Sequence, residues 1–501
     1  MELKELLNKN DYNKLRIIEE LMNADGPLSK KELGKQVKLS NFLLQSHLED
    51  IALLAQQERF GIQLLQTVKG NTVCYSLTKS DHSSLKFILF HFFEQSIDYQ
   101  LLALLQQKPN CTIPFLTDYF FLSESVLYAH FQHINEFLKT YNIQIKKGKI
   151  IGSMLDKHYF FYYFYWFTLP MSEIHKRFYR PEIERFLQFL EQKIEVTFPF
   201  HVKLQFYVWS TIFLQQSKNH LLTETFSQEF LLAIRQDSLY QRIRQVYFTM
   251  VDAAAFPGSE AFPVYMYIFF TSIYILPSRT LPFSETDTTC EPFSAILAMQ
   301  QIVKVQLAKL HIDLTEFPYD VAGEIYYLLA QIHHQLLYFK RYISTLNSNF
   351  FLSNYPFDQR VPKLMHQSAC QLTKEIEHFL GFEFDHHTFQ SIRYIYLTIL
   401  KKAEHYSKDK LTIGVFCAAS FLRMNLAVQQ TQELFQQRYN SESSIADPQK
   451  HYDLLVADTN YFLNKFKFDD YYILSGGPTV FDLKKLTEKL DEIYRRKKGE
   501  L

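Results

Sequence analysis

The chain has 501 residues with 53 basic and 53 acidic side chains, so its formal net charge is zero. This length exceeds what one hydrophobic core supports, and at ~150 residues per domain it predicts three or four domains. The balanced charge excludes a protein that coats nucleic acid along its whole length, so any such site must be local. Aromatic residues make up 16% of the chain and only 13 glycines are present, which favours long buried helices and a mainly α, multidomain fold.

The cysteines and the apolar segments predict a cytoplasmic protein. The five cysteines form no Cys-x-x-Cys pair, so neither a disulfide framework nor a thiolate zinc site is expected. The N-terminus lacks the apolar core of a signal peptide. The most apolar segment, residues 261–278, is interrupted by prolines and is shorter than the ~20 residues that a membrane span needs, so we predict a buried helix and no membrane association. The sequence has no phosphate-binding loop, dinucleotide fingerprint or Ser-His-Asp pattern, so neither an enzyme nor a cofactor is predicted.

The first 80 residues predict a winged helix-turn-helix domain. Asn10 or Asp11 can cap a first helix, Ser29 a second and Ser40 a third. Two β-like runs follow, GIQLLQTV and TVCYSL, joined by a Lys-Gly-Asn turn that is typical of a hairpin. Three helices followed by a two-stranded hairpin make up the winged helix-turn-helix.

Residues 81–160 repeat this pattern. A continuous helix is predicted from Ser84 to Gln107, then a short helix IPFLTDYFF and a longer helix after Leu122-Ser123. The segment IQIKKGKIIGS predicts a second wing that turns at Lys147-Gly148. The segments VKLSNFLLQSHLEDI and FFLSESVLYAHFQHI align, with apolar residues at matching positions around the serine. Two tandem winged helices are a more specific signal than one.

Helix-turn-helix proteins contact base edges with the early, outward positions of their second helix. The predicted contacts are Ser40, Asn41, Gln45 and Ser46 in the first unit, and Ser123, Ser125, Tyr128 and Gln132 in the second. Since these helices carry little positive charge, phosphate contacts must come from the flanks and wings, from Lys30, Lys31, Lys38, Lys69, Lys147 and Lys149. Glu124 occupies one of the outward positions that would face the bases. An acidic residue there leaves open the alternative that the winged helix binds a protein instead of DNA.

The rest of the chain changes character twice. Residues ~172 to 391 are helical and aromatic, divided by a Pro/Ser/Thr-rich break at about 277–292. In the last ~100 residues, apolar strands such as LTIGVFCA alternate with helices, which predicts a small parallel α/β domain. Cys417 ends that strand just before a Ser-capped helix, so it is either a thiol activated by the helix N-terminus or a buried strand-end cysteine.

The order of these parts, and the stretch FLTDYFFLSESVLYAHFQHINEFLKTYNIQIKKGKIIGS, resemble the Mga family of transcriptional regulators. The resemblance implies two phosphotransferase-regulated (PRD-like) helical-bundle domains, at 171–285 and 286–395, and an EIIB-like tail at 405–501. It also implies phosphorylation of histidines, for which the candidates are His201, His220, His333 and His334. Cys417 falls where the EIIB phosphocysteine would lie, without the customary glycines.

We therefore predict a transcriptional activator that binds double-stranded DNA as a homodimer. The family resemblance implies that the dimer forms through the helical and C-terminal domains. The family resemblance adds a phosphocarrier of the sugar phosphotransferase system as a further partner. Two alternatives stay open: a scaffold that uses its winged helices for protein partners, and a phosphotransferase component.

Overall fold

The computed structural model describes residues 3–70, 72–81, 83–218, 226–250, 259–273, 293–310, 312–339, 363–407, 411–416, 421–435, 441–461, 463–474 and 479–497. The chain divides into two compact units. One comprises Met1–Ile302, Tyr326–Pro362 and Cys370–Ile395, and the other Val303–Ile325, Lys363–Ala369 and Tyr396–Leu501. The described residues form 20 α-helices and a small four-stranded parallel sheet, which confirms the mainly α, multidomain prediction.

The first winged helix contains α1 (Lys9–Asn23), α2 (Lys30–Val37) and α3 (Asn41–Ala55). Strands β1 (Leu28–Ser29), β2 (Ile62–Lys69) and β3 (Thr72–Lys79) pair antiparallel in the order β1-β3-β2. Ser29 and Ser40 cap α2 and α3 as predicted. The predicted cap of α1 is wrong: Asn8 caps it, and its side chain accepts a hydrogen bond from the Asp11 amide at 2.9 Å. A preceding 3-10 turn with buried Leu3 and Leu6 fixes how the chain enters this helix.

The second winged helix contains α4 (Leu85–Gln95), α5 (Ile97–Gln107), α6 (Ile113–Phe120) and α7 (Glu124–Leu138), with the hairpin β4 (Gln144–Lys146) and β5 (Lys149–Ile151). The prediction of one continuous helix over 84–107 is wrong, because the chain is extended at Ser96. The Ser96 hydroxyl accepts a hydrogen bond from the Tyr99 amide and donates one to the carbonyl of Leu6. Ser96 therefore stabilises the break in two ways, because it caps α5 and also bonds to the N-terminal segment.

Helix α8 (Met154–Thr168) follows the second wing and is buried on nearly every side. Ten of its 15 residues are buried, including every residue from Tyr159 to Tyr165. The helices after it are α9 (Met171–Phe178), α10 (Pro181–Ile194), α11 (Phe200–Lys218), α12 (Gln228–Gln236), α13 (Ser238–Met250), α14 (Ala261–Ile268), α15 (Phe293–Lys309), α16 (Tyr319–Phe339), α17 (Lys363–Leu380) and α18 (His386–Ser407). A π-helical turn, Phe269–Ile273, continues α14.

The apolar segment that begins at Ala261 is a core element. Over its described part, α14 and the π-helical turn, the side chains from Phe262 to Ser272 are buried, which confirms the predicted buried helix. The indole nitrogen of Trp209 donates to the carbonyl of Tyr265 at 3.0 Å and ties α11 to this element. Among the helices that the structure describes, none has both the length and the apolarity to cross a bilayer.

The C-terminal sheet is parallel throughout, as predicted. Strands β6 (Leu411–Phe416), β7 (Ser441–Ile445), β8 (His451–Ala457) and β9 (Lys467–Ile473) lie in the order β7-β6-β8-β9. Helices α19 (Phe421–Phe435) and α20 (Val480–Lys497) belong to the same unit, and Leu486, Leu490 and Ile493 of α20 pack with the β6 and β8 side chains. Asp453 on β8 is buried. Its carboxylate accepts hydrogen bonds from the amide and hydroxyl of Thr412 and forms an ion pair with Lys497 at 2.7 Å.

Candidate nucleic-acid interface

The two helix-turn-helix units have the same local geometry. Helices α2 and α6 each have eight residues, and α3 and α7 each have 15. In each turn the residue after the first helix is left-handed, Lys38 with φ 55° and Phe121 with φ 54°. Two residues later a serine caps the second helix: Ser40 accepts from the amide of Leu43 at 3.3 Å, and Ser123 from that of Val126 at 3.4 Å. The alignment made on the sequence therefore corresponds to a structural repeat.

We call the second helix of each helix-turn-helix unit, which is predicted to contact base edges, its reading helix. The first reading helix, α3, buries Leu44, Leu48 and Ile51 against its own domain. The predicted contacts Asn41 and Ser46 are exposed on its other side. Gln45 is half-buried and already engaged. Its side-chain oxygen accepts from Lys30 at 3.0 Å, and its amide donates to Glu49 at 2.8 Å. Lys30 and Gln45 thus form a pair on this surface, and a base contact by Gln45 requires that pair to rearrange.

The second reading helix, α7, buries Leu127, Phe131, Ile134 and Leu138. The predicted contacts Ser125, Tyr128 and Gln132 are exposed, as is Glu124. The Ser123 and Ser125 hydroxyls lie 3.0 Å apart, so the cap and a reading position share a hydrogen bond. The early, outward positions of α7 therefore present hydroxyl and amide groups of the kind that read base edges.

The predicted phosphate contacts lie at the start of α2, in the turn after it and on the two wings. Lys31, Lys38, Lys69, Lys147 and Lys149 are all exposed, while Lys30 is half-buried. Lys147 and Gly148 both have positive φ, 51° and 75°, and form the tight turn of the second wing. A Cβ at Gly148 would lie 2.6 Å from the carbonyl oxygen of Cys111, so the close approach of the wing to the loop before α6 requires glycine.

Sequence reasoning missed the residue that fixes the second wing to its reading helix. Asn135 on α7 donates to the carbonyl of Ile145 at 2.9 Å and accepts from the Ile145 amide at 2.5 Å. The Asn135 side chain thereby bonds to the backbone of β4 as a neighbouring strand would. This contact sets where Lys147 and Lys149 lie relative to α7. An asparagine in the last turns of a helix, ten residues before its partner Ile145 in the next strand, is the only sequence signal for this contact.

A second missed feature lies on the flank of α7. Asp98 of α5 is buried, and its two carboxylate oxygens lie 2.6 Å from Nδ1 of His130 and 2.6 Å from Nδ1 of His133. The signal in the sequence was a pair of histidines three residues apart, which places them on one helix face. The partner Asp98, on another helix, has no signature of its own.

The predicted phosphorylation candidates have different surroundings. His201, in the first turn of α11, is exposed. His333 and His334 of α16 are fully buried, and burial lowers the pKa of His333 to about 3 and that of His334 to about 4. His220 and Cys417 lie outside the described residues. Within the described part of the chain, no group of three or more histidine, cysteine, aspartate or glutamate side chains is arranged to hold a metal ion.

Comparison with known proteins gives two matches. Residues 81–165, which contain the second winged helix and most of α8, match the Mga helix-turn-helix domain. A protein of Streptococcus pneumoniae serotype 4 described as "Putative trans-acting regulator" is 22% identical over 167 residues. That match covers 32% of this chain and 31% of the relative, so it spans about a third of the curated relative's length. Residues 81–165 are therefore similar to the helix-turn-helix domain of the Mga family, and the two matches together support a transcriptional regulator of that family.

Proposed function

We propose that the chain is a transcriptional regulator that binds duplex DNA with both of its winged helices. The observation that carries this proposal is the repeated helix-turn-helix geometry, with the second copy lying inside the Mga domain match. Each copy presents small polar side chains at the start of its reading helix and lysines on its turn or wing. Base edges are read by the first group, and phosphates are held by the second.

The affinity of the two winged helices for DNA is the sum of several weak contacts. Neither reading helix contains a lysine or an arginine, so little phosphate attraction comes from the helices themselves. The exposed lysines at 31, 38, 69, 147 and 149 supply it from outside. Two linked heads on one duplex raise each other's effective concentration, so modest contacts in each head give useful affinity together.

The test is fluorescence anisotropy of the full chain on duplex DNA across a salt series. The variant changes Lys31, Lys147 and Lys149 to alanine. The slope of log K against log salt is negative, and each lost phosphate contact makes it less steep by about 0.9. We therefore expect the magnitude of the slope to decrease by about 3 per bound chain.

A matched control removes the same charge elsewhere, with alanine at the exposed Lys176, Lys193 and Lys374 of the helical region. We expect its salt slope to equal that of the unchanged protein. Equal slopes for both triple variants would reject the proposed phosphate contacts, and the absence of any binding at low salt would reject the DNA function.

We further propose that the protein activates transcription as a homodimer and that a phosphotransferase phosphocarrier regulates it by phosphorylating His201. What supports His201 is its exposure, since a phosphoryl donor must reach the imidazole. A phosphoryl group would add about 1.5 to 2 negative charges to the start of α11 and shift any interface formed there. A sedimentation weight that is the same for the unchanged protein and for His201→Asp would count against this regulation.

A specific observation favours a second candidate function, a winged-helix scaffold for protein partners. Phe42 at the start of α3 is 81% exposed, and Phe121 in the turn before α7 is 94% exposed. Tyr119 and Tyr128 add further exposed aromatic surface to the second unit. Exposed aromatic groups are enriched in protein interfaces. A scaffold would show partner binding that changes little with salt and no shift of duplex DNA.

A further inference from the structure

A cavity of about 650 Å³ lies between the N-terminal segment and the flank of the second reading helix. Asn8 and Lys9, at the start of α1, line one side, and Ser125, His130 and His133 of α7 line the other. The cavity therefore joins the two winged helices of the same compact unit. It borders the predicted DNA-reading surface of α7 at Ser125, whereas Glu124, Tyr128 and Gln132 do not line it and are exposed.

Asp98 orients both histidine rings in this cavity. Its carboxylate accepts from Nδ1 of His130 and from Nδ1 of His133, each at 2.6 Å, and only 7% of the aspartate is exposed. A carboxylate acceptor places a proton on each Nδ1, so Nε2 is the nitrogen that each ring can offer to a ligand. Two rings three residues apart on one helix are thereby fixed as a pair by a buried group.

The charges around the cavity favour an anion once both imidazoles are protonated, since with neutral rings Lys9 faces the two carboxylates of Glu5 and Asp98. When both imidazoles are protonated, they and Lys9 supply three positive charges against the carboxylates of Glu5 and Asp98. The first turn of α1, which begins at Lys9, adds the partial positive charge of a helix N-terminus. Protonating both rings places like charges beside each other, and a bound anion would offset that repulsion. Anion binding is therefore linked to proton uptake.

The remaining wall is less polar. Leu7, Tyr12, Val126 and Ala129 line the cavity beside the charged groups. Cavities of 300 to 1,000 Å³ that combine apolar walls with a few convergent polar groups are typical of small-molecule sites. We propose that this cavity binds a small organic anion, a phosphate ester or a carboxylate of metabolite size, through Lys9, His130 and His133.

The test is isothermal titration calorimetry of the full chain, without DNA, against glucose 6-phosphate, citrate and inorganic phosphate at about pH 6.5. We expect at least one organic anion to bind with a dissociation constant of about 1 mM or lower. Titrations in two buffers of different ionisation enthalpy should show proton uptake on binding. Binding of the sugar phosphate alone would assign the site to phosphate esters, and binding of citrate alone to carboxylates. Either outcome supports the site.

The variants are His130→Gln with His133→Gln, and separately Lys9→Met. We expect the double variant to weaken binding at least tenfold and to abolish the proton uptake, and Lys9→Met to weaken binding with the uptake retained. The control is His175→Gln, an exposed histidine on α9, which should leave binding unchanged. No binding of any of the three anions up to about 10 mM, or binding that persists unchanged in the double variant, would overturn the proposal. Since no DNA is present, this result is independent of the DNA-binding proposal.

Discussion

His158 makes the stability of the first compact unit sensitive to acid. The ring is completely buried, with Nδ1 3.1 Å from the side-chain oxygen of Gln216 and ring centroids of Trp209 and Tyr265 at 4.1 and 4.8 Å. Burial among these aromatic rings lowers the pKa of His158 from 6.5 to about 3. The imidazole is therefore neutral in the folded protein at every pH at which the protein is handled.

The size of the effect follows from linkage. Above pH 6.5 the folded and unfolded chains bind no proton at this site, and the full stability is present. As the pH falls below 6.5, only the unfolded chain gains the proton, so stability is lost progressively down to the folded pKa of about 3. At about pH 5 the loss is about 2 kcal/mol, a value set almost entirely by the pKa of the unfolded chain.

The assay uses Trp209 as the reporter. A Trp166→Phe background leaves it as the single tryptophan and preserves the backbone carbonyl of residue 166 that Lys86 contacts. Urea unfolding followed by fluorescence at about pH 7.5 and 5 would be compared with the same protein carrying His158→Asn, whose amide can replace Nδ1 but does not titrate.

We expect the protein with His158 to lose about 2 kcal/mol more than the asparagine variant over this interval. The other buried histidines are present in both proteins, so their contributions cancel in the difference. Equal pH dependence in the two proteins would show that His158 is not held neutral, and the reasoning from burial would fail.

Three further predictions concern single side chains. Asn135→Leu removes both hydrogen bonds to β4 and should cost about 2 to 3 kcal/mol in urea unfolding; a loss under about 0.5 kcal/mol would contradict the contact. Gly148→Ala should cost at least about 2 kcal/mol because its Cβ meets a carbonyl, whereas Gly70→Ala, with positive φ and open space, should cost about 1 kcal/mol; similar values by the same assay would contradict this reading. His333→Asp buries a charge and should cost more than about 3 kcal/mol, while the exposed His201→Asp should change stability by less than about 0.5 kcal/mol; the reverse order in thermal denaturation would be inconsistent with α16 as described.

The features that were predicted from the sequence are those that depend on neighbouring residues. Ser29 and Ser40 cap helices because a hydroxyl reaches the amide three residues later, a contact that sequence spacing alone defines. The wing turn at Lys147-Gly148 is equally local, since it depends on which residues tolerate positive φ.

The features that were missed depend on partners far apart in the chain. Strand β7, with the sequence SESSI, has no strand periodicity and forms because it pairs with β6 and because Gln432 of α19 bonds to its backbone at Ser441 and Ser443. The histidine pair on α7 likewise acquires its geometry from Asp98, more than 30 residues earlier. Such contacts are set by tertiary packing, which the local pattern does not contain.

The burial of α8 has a practical consequence for dividing the protein into fragments. The apparent seam between the second wing and the helical region, at about residue 160, lies in the middle of this helix. Tyr141 and Phe137 of the winged helix pack on Phe160, while Tyr162 packs on Trp209 of α11. A DNA-binding fragment that ends before Met154 would expose the first set of aromatic rings, and one that ends after Thr168 would expose the second. A soluble fragment must therefore either carry α11 or replace the outward aromatic side chains of α8 with polar ones.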